Sequence, residues 1–283
     1  MKAFVSVDLE GMPYIVNVEQ LSINRKLFNE ARKIMTLIVK KACEYLHEYG
    51  FNDIVVADSH GHMVNIEFIE LPEYVELIRG YPRALSMITG SVECDAALML
   101  GYHAKSGTEY STFDHTYSSA IIDQVKLNDI EVSEFLLNAY ALGYYDIPVI
   151  LVAGDTKLIE EAKRYTPWAK TVTFKESYSR YSAKSPSLKR ILKTLNNAIK
   201  NAVESFKAGR VKPLKLNGNV KLIVRFKSSA YADAAELIPG IKRINGVTVM
   251  YNANNIIEAY KVLELTVLAS HGVRSIISSS LIN

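Results

Sequence analysis

Along this chain, short and almost wholly apolar runs alternate with longer stretches whose apolar residues recur every three or four positions. Residues 2–7 form a β-rich apolar run that ends in acid at Asp8. From Leu27 the apolar positions are Leu27, Phe28, Ala31, Ile34, Met35, Ile38, Val39, Ala42 and Leu46. That spacing predicts an amphipathic helix of several turns, with Gly50 as a cap just past its end. Residues 53–57 (DIVVA), 96–100 (AALML) and 147–152 (IPVILV) read as further buried strands. Residues 117–127 have β character, with Asn128-Asp129 as a turn, and a helix is expected over 132–142.

Strands that are apolar on both faces belong to a parallel sheet covered on both sides. Residues 1–155 therefore predict an α/β fold: a mostly parallel sheet with helices on both faces. A transition follows over 155–185, with short β runs and a polar stretch at 175–187. Beyond it the pattern predicts a helix (187–206), a strand (220–226), a helix (229–237), a strand (241–250) and a helix (254–270). This reads as a smaller α+β C-terminal unit. We expect an α/β metal-binding catalytic domain at 1–160 and a smaller α+β domain at 161–283, with no Gly/Pro/Ser-rich linker to mark the boundary.

Composition narrows the classes. The 283 residues are 49% hydrophobic and 22% charged, which excludes disorder. The net charge is +3, and no basic stripe interleaves with aromatics, so nucleic acid is not an expected partner. No apolar run is long enough to span a bilayer. The N-terminal run leads straight into Asp8 and Glu10 without a small-residue cleavage site, and reads as a strand, not a signal peptide. Cys43 and Cys94 belong to no Cys-x-x-Cys pair and read as buried thiols. The expected location is the cytoplasm.

The chemistry lies where the apolar strands stop. In open α/β sheets, ligands bind beyond the carboxyl ends of the strands. There stand Asp8 and Glu10, then Asp58, His60 and His62, then His103, with His115 further into the same loop and Glu134 at a helix start. Carboxylates with imidazoles suit Zn²⁺, Mn²⁺ or Fe²⁺. Asp8 and Glu10 alternate by two, so an extended strand end would point both to one side, where they repel unless a cation separates them. Enough ligands are present for two metals if one carboxylate bridges them, and such a pair performs hydrolysis. Each residue alone has a plainer reading. Asp8 and Asp58 are also good caps, Glu134 also complements a helix dipole, and His62 and His103 also suit solvated turns.

The order of these residues resembles a known family. Ser6-Val7-Asp8-Leu9-Glu10-Gly11 is similar to the SxDxEG opening of the D-aminopeptidase DppA family of zinc metallopeptidases. The likeness continues through Asp58-Ser59-His60, Gly101-Tyr102-His103-Ala104, Asp114-His115-Thr116 and Glu134 with Leu137-Asn138-Ala139-Tyr140. It extends through Gly143-Tyr144-Tyr145-Asp146-Ile147-Pro148-Val149, Val152-Ala153-Gly154-Asp155, Ser179-Arg180, Pro239-Gly240 and Ile257-Glu258-Ala259-Tyr260, in order over nearly the whole chain.

The resemblance implies a zinc-dependent aminopeptidase for short peptides, D-Ala peptides in the best-known case. It implies two zinc ions per subunit, with Mn²⁺ or Co²⁺ as other candidates. Asp8 would bridge them, Glu10 and His103 would complete one site, and His60 and Glu134 the other. His115 matches the family's proposed catalytic histidine. Nucleophile and acid/base are both open to it, and we favour an acid/base or transition-state role, because the metals already supply an activated water. The resemblance also implies a homo-oligomer, a decamer of two stacked pentameric rings. The bulkier Met12-Pro13-Tyr14-Ile15-Val16 loop, Thr156 after Asp155, and large Phe113 and Tyr117 flanking His115 depart from the family pattern and leave D-stereospecificity open. Two alternatives keep the fold. One is a metal-stabilised binding or assembly protein, and the other an amidohydrolase for another small amide.

Overall fold

The N-terminal apolar run forms a strand whose alternation sets the layering. Ala3, Val5 and Val7 pack to one side, and Phe4 to the other. The computed structural model describes residues 1–280. In chain order the elements are β1 (Lys2–Val7), α1 (Phe28–Glu48), β2 (Asp53–Asp58), β3 (Val75–Ile78), β4 (Ala96–Tyr102), β5 (Ile122–Leu127), β6 (Ile130–Glu131), α2 (Glu134–Tyr144) and β7 (Val149–Asp155). Then follow α3 (Thr156–Tyr165), β8 (Lys170–Ser179), β9 (Ser182–Lys184), α4 (Leu188–Lys207), β10 (Val220–Phe226), α5 (Ser229–Glu236), β11 (Lys242–Asn245), β12 (Thr248–Ala253) and α6 (Ile256–Ser280).

A seven-stranded sheet runs β3-β2-β1-β4-β7-β8-β9 and is parallel except for β9, which pairs antiparallel with β8. On one face, Met35, Ile38 and Leu46 of α1 and Ile191, Leu195 and Ile199 of α4 share a core with Val5 and Val7. On the other, Phe135 of α2, Leu158 of α3 and Leu263 of α6 share a core with Phe4 and Met99. The expected α/β fold is thus present. The second sheet, β11-β12-β10-β5-β6, is antiparallel, and Val224 and Val249 join that same core. Both sheets draw strands from either side of residue 160. β5 and β6 precede it and join the second sheet, while β8 and β9 follow it and join the first.

Several elements differ from the sequence reading. The expected transition at 155–185 contains α3, because Asp155 caps it by accepting from Leu158 N at 2.8 Å and Leu158, Ile159 and Ala162 bury one face. It also contains the ten-residue strand β8. The expected strand at 241–250 is a hairpin, β11 and β12, turned at Gly246-Val247. β5 starts at Ile122, not near 117, and β3 has no counterpart in the hydrophobic pattern. α6 continues beyond 270 to Ser280.

Candidate metal centre

Strand order assembles the site. The chain leaves β1 for β2 and β3 on one side, then crosses to β4, β7, β8 and β9 on the other. The carboxyl ends of β2, β1 and β4 are therefore adjacent at the point where the direction of winding reverses, the usual crevice of an open sheet. β1 delivers Asp8 and Glu10, β2 delivers His60, and β4 delivers His103. Ser133 caps α2 by accepting from Leu136 N at 3.0 Å, which sets Glu134 in the first turn. Asp8 and Glu10 converge for a reason other than strand alternation. β1 ends at Val7, and a turn follows in which Met12 N donates to Leu9 O at 3.0 Å.

All six expected site residues lie together and line one cleft or its floor. Suitable ligand atoms of Asp8, Glu10 and His103 lie within 4.8 Å of one another, as do those of His103, His115 and Glu134. His103 Nε2 faces Asp8 Oδ2 at 3.3 Å and Glu134 Oε2 at 3.8 Å. His115 Nε2 stands 3.5 Å from Glu134 Oε1 and 4.0 Å from Glu10 Oε1. The His103 and His115 rings stack with centroids 4.4 Å apart. His60 takes a different place from that expected beside Glu134. Its Nδ1 donates to Glu10 Oε2 at 2.7 Å, with Asp8 Oδ1 at 3.5 Å, and its Nε2 donates to Leu21 O at 2.7 Å.

The donor set fits a cation. Asp8 Oδ2 and His103 Nε2 are buried and have no hydrogen-bond partner. His103 Nδ1 donates to Ala104 O at 2.9 Å, so its Nε2 faces carboxylate oxygens, an arrangement that a metal ion replacing the Nε2 proton satisfies. The protein charges show the same excess of carboxylate. Burial opposes the cationic form of His103, but the Asp8 carboxylate beside it, with Glu134 and Glu10, raises its pKa to about 10. Burial likewise opposes protonation of His60, and Glu10 and Asp8 outweigh it, holding the imidazole well above its ordinary range. Glu10 is held well below the usual carboxylate range despite burial, chiefly by His60. Burial prevails at Glu134 and pushes its carboxyl up against the pull of His115 and His103.

The surrounding loops are pinned. Asp58 does not touch the His60 ring. It accepts from Asn65 N, Asn65 Nδ2 and Ile66 N, and Asn65 Nδ2 also donates to His60 O, so Asp58 orders the loop that carries the histidine. His115 sits between Phe113 and Tyr117, both with positive φ, a conformation that bulky residues rarely adopt. The Arg180–Asp114 ion pair and the bond from Thr112 N to Ser177 Oγ hold that loop to β8 and its turn. Tyr117 N donates to Glu134 Oε1 at 2.6 Å. His62 is exposed at the cleft mouth.

Sequence reasoning missed Lys175. It is fully buried on β8 and donates to the carbonyl oxygens of Glu10 and Ile15, the latter at 2.6 Å. Burial lowers its pKa to about 7 against Asp155, Glu10 and Asp8. The available signal is a lysine beside Val172 and Phe174 in a β-rich run, which by composition alone belongs to a polar stretch.

Known proteins resemble this chain in sequence and fold. The sequence profile of the M55 peptidase family, described as D-aminopeptidase, matches residues 1–265. The D-aminopeptidase of Bacillus subtilis (strain 168) is 31% identical over 272 residues, spanning 95% of this chain and 98% of that protein. A solved structure of the Zn-dependent D-aminopeptidase DppA from Bacillus subtilis, a self-compartmentalizing protease, superposes with a TM-score of 0.91 at 30% identity, covering 96% of this chain and 98% of that one. With the family profile matched over residues 1–265 and a relative 31% identical over 95% of its length, the chain belongs to the M55 D-aminopeptidase family.

Proposed function

We propose that this protein is a zinc-dependent D-aminopeptidase that releases N-terminal residues from short D-amino-acid peptides. The observation that carries the reading is the buried, unpartnered pair Asp8 Oδ2 and His103 Nε2 at the floor of a cleft of about 570 Å³. The family relationship supports zinc as the metal and a peptide amide as the bond. We propose that Asp8, Glu10, His60, His103 and Glu134 would hold two zinc ions, with the His60 imidazole on the Glu10 and Asp8 side of the cluster. Zinc supplies an acidified water and a polarised carbonyl when bound. To serve as a ligand, His60 gives up the proton it donates to Glu10, so metal uptake releases protons at this site.

The chain's own groups then do three things. Tyr117 N holds Glu134 in one orientation, and Lys175 holds the Glu10 turn through two carbonyls. His115, less enclosed than His103 and fixed through Nδ1 to Phe113 O at 2.8 Å, points its Nε2 into the cleft and is placed to carry a proton to the departing amine. The decamer and the cytoplasmic location are our proposals, supported by the self-compartmentalizing relative and by the lack of any described helix long and apolar enough to cross a membrane.

Elemental analysis with hydrolysis of D- and L-alanyl peptides tests the reading. We expect close to two zinc per chain, hydrolysis abolished by chelator and restored by zinc, and loss of both metal and activity in Asp8→Ala. Full zinc content and unchanged turnover in Asp8→Ala would discard it.

A further inference from the structure

The cleft that holds the ligand cluster extends along α6, and there its wall carries a carboxylate with no part in the chemistry above. Glu264 is 6% exposed and lines the same cavity as Asp8, Glu10, His60, His115 and Glu134. Its Oε1 is buried without a hydrogen-bond partner. Arg83 acts on it through space without a hydrogen bond to it, its two terminal nitrogens donating to the carbonyls of Asp58 and Ile78 and to Met63 Sδ. Burial raises the Glu264 carboxyl above its ordinary value, against the opposing pull of Ser86 and Arg83. A carboxylate enclosed in this way is stabilised by any cation that enters beside it.

A second orphan stands on the same wall. The Tyr117 hydroxyl is buried and has no partner. The Tyr117 ring packs edge-on against Tyr260 at 6.2 Å. Tyr260 lies one helical turn before Glu264, so both project from one face of α6. Tyr117 and Glu264 line the same cleft. Tyr117 is in turn bonded through its backbone to Glu134. The arrangement offers two oxygen acceptors to a substrate cleft, one of them anionic, and Glu264 Oε1 keeps no hydrogen-bond partner even with Ser86 beside the carboxylate. Its complement is an alkylammonium, a compact charge with three donors.

We propose that Glu264, with the Tyr117 hydroxyl, forms an ammonium-binding subsite that holds a positively charged group of the substrate. The inference rests on the peptidase reading and makes Glu264 a specificity-determining residue. Two sources carry this chemistry: the free α-ammonium of the peptide, or the side-chain ammonium of a basic residue near the scissile bond.

The test uses the zinc-loaded full chain and Glu264→Gln, which keeps the shape and removes the charge. Melting temperature and zinc content check that the variant is otherwise intact. KM and kcat are measured on alanyl peptides of the preferred hand and on matching peptides with a lysine at the first or second position. If the α-ammonium is the occupant, KM rises about tenfold or more on every peptide while kcat changes less. If the side-chain ammonium is the occupant, only the lysine peptides lose by that factor. Unchanged KM on both sets overturns the subsite. Calorimetric titration of the chelated, metal-free protein with n-butylammonium, and with butanol as the neutral control, reads the subsite without turnover. It decides the matter if the wild type hydrolyses no peptide, in which case the peptidase reading fails separately, or if the variant does not fold. Binding of butylammonium about tenfold tighter than butanol is expected, and equal or absent binding of the two overturns the proposal.

Discussion

At the scale of single residues, His103 and His115 have similar surroundings but different exposure. Their rings stack, both face Glu134, and each donates through Nδ1 to a nearby carbonyl. His103 is 1% exposed and wedged between carboxylates, the position of a ligand. The His115 side chain is 14% exposed, and its Nε2 reaches the cleft, the position of a group that exchanges protons with substrate. His115→Asn should therefore lower kcat by about 10²–10⁴-fold with little change in zinc content. Turnover and elemental analysis of the same preparation check this. Zinc lost in proportion to activity would make His115 a ligand instead, a role its grouping with His103 and Glu134 also permits.

At the scale of elements, the ligands depend on how closely the ends of β1 and β4 approach. Gly11 N donates to Gly101 O at 2.7 Å, and Asp8 N to Leu100 O at 2.8 Å. A Cβ on Gly11 would meet Tyr102 O at 1.7 Å, and one on Gly101, where φ is +73°, would meet Asp8 O at 2.1 Å. Both contacts are with backbone, which cannot rotate away. Gly11→Ala should push the Asp8–Glu10 turn off β4, lowering stability by about 1–3 kcal/mol and weakening zinc retention. Thermal unfolding and zinc content after dialysis measure the two effects. A variant that melts and binds zinc like the parent would show that the turn does not need this contact.

At the scale of the whole molecule, the fold leaves apolar side chains in solvent. Phe68 is 58% exposed, Ile69 88%, Leu237 84% and Ile276 66%. These residues come from different parts of the chain, and surfaces of this kind suit contacts between copies. The solved relative is a self-compartmentalizing protease, and its chain superposes on nearly all of this one. We expect light scattering to give a mass about ten times the 31.7 kDa of the chain. A mass equal to one chain would remove the decamer while leaving the metal chemistry untouched.

Much of the site is legible in the amino-acid sequence by itself. Ligands that follow apolar strands stand out because a fully buried parallel strand is a local pattern, and the residue after it is the first free to be polar. Asp8, His60 and His103 stand out in this way, and the roles expected of Glu134 and His115 come from the family resemblance. The sequence reading takes 155–185 as a transition and misses α3, although Asp155 and the spacing of Leu158, Ile159 and Ala162 carry the signal of a capped amphipathic helix. Other features depend on contacts between distant parts of the chain. Only the strand order puts β2, β1 and β4 side by side, and only a turn, not strand alternation, brings Asp8 and Glu10 together. Lys175 reads locally as a surface lysine, and packing turns it under the Glu10 loop, 165 residues away in sequence. Glu264 reads as one polar position on a core helix, and the tertiary fold makes it part of the cleft wall. Hydrophobic periodicity reports which face of an element is buried, whereas the partner against which it is buried is set by long-range packing that no local period encodes.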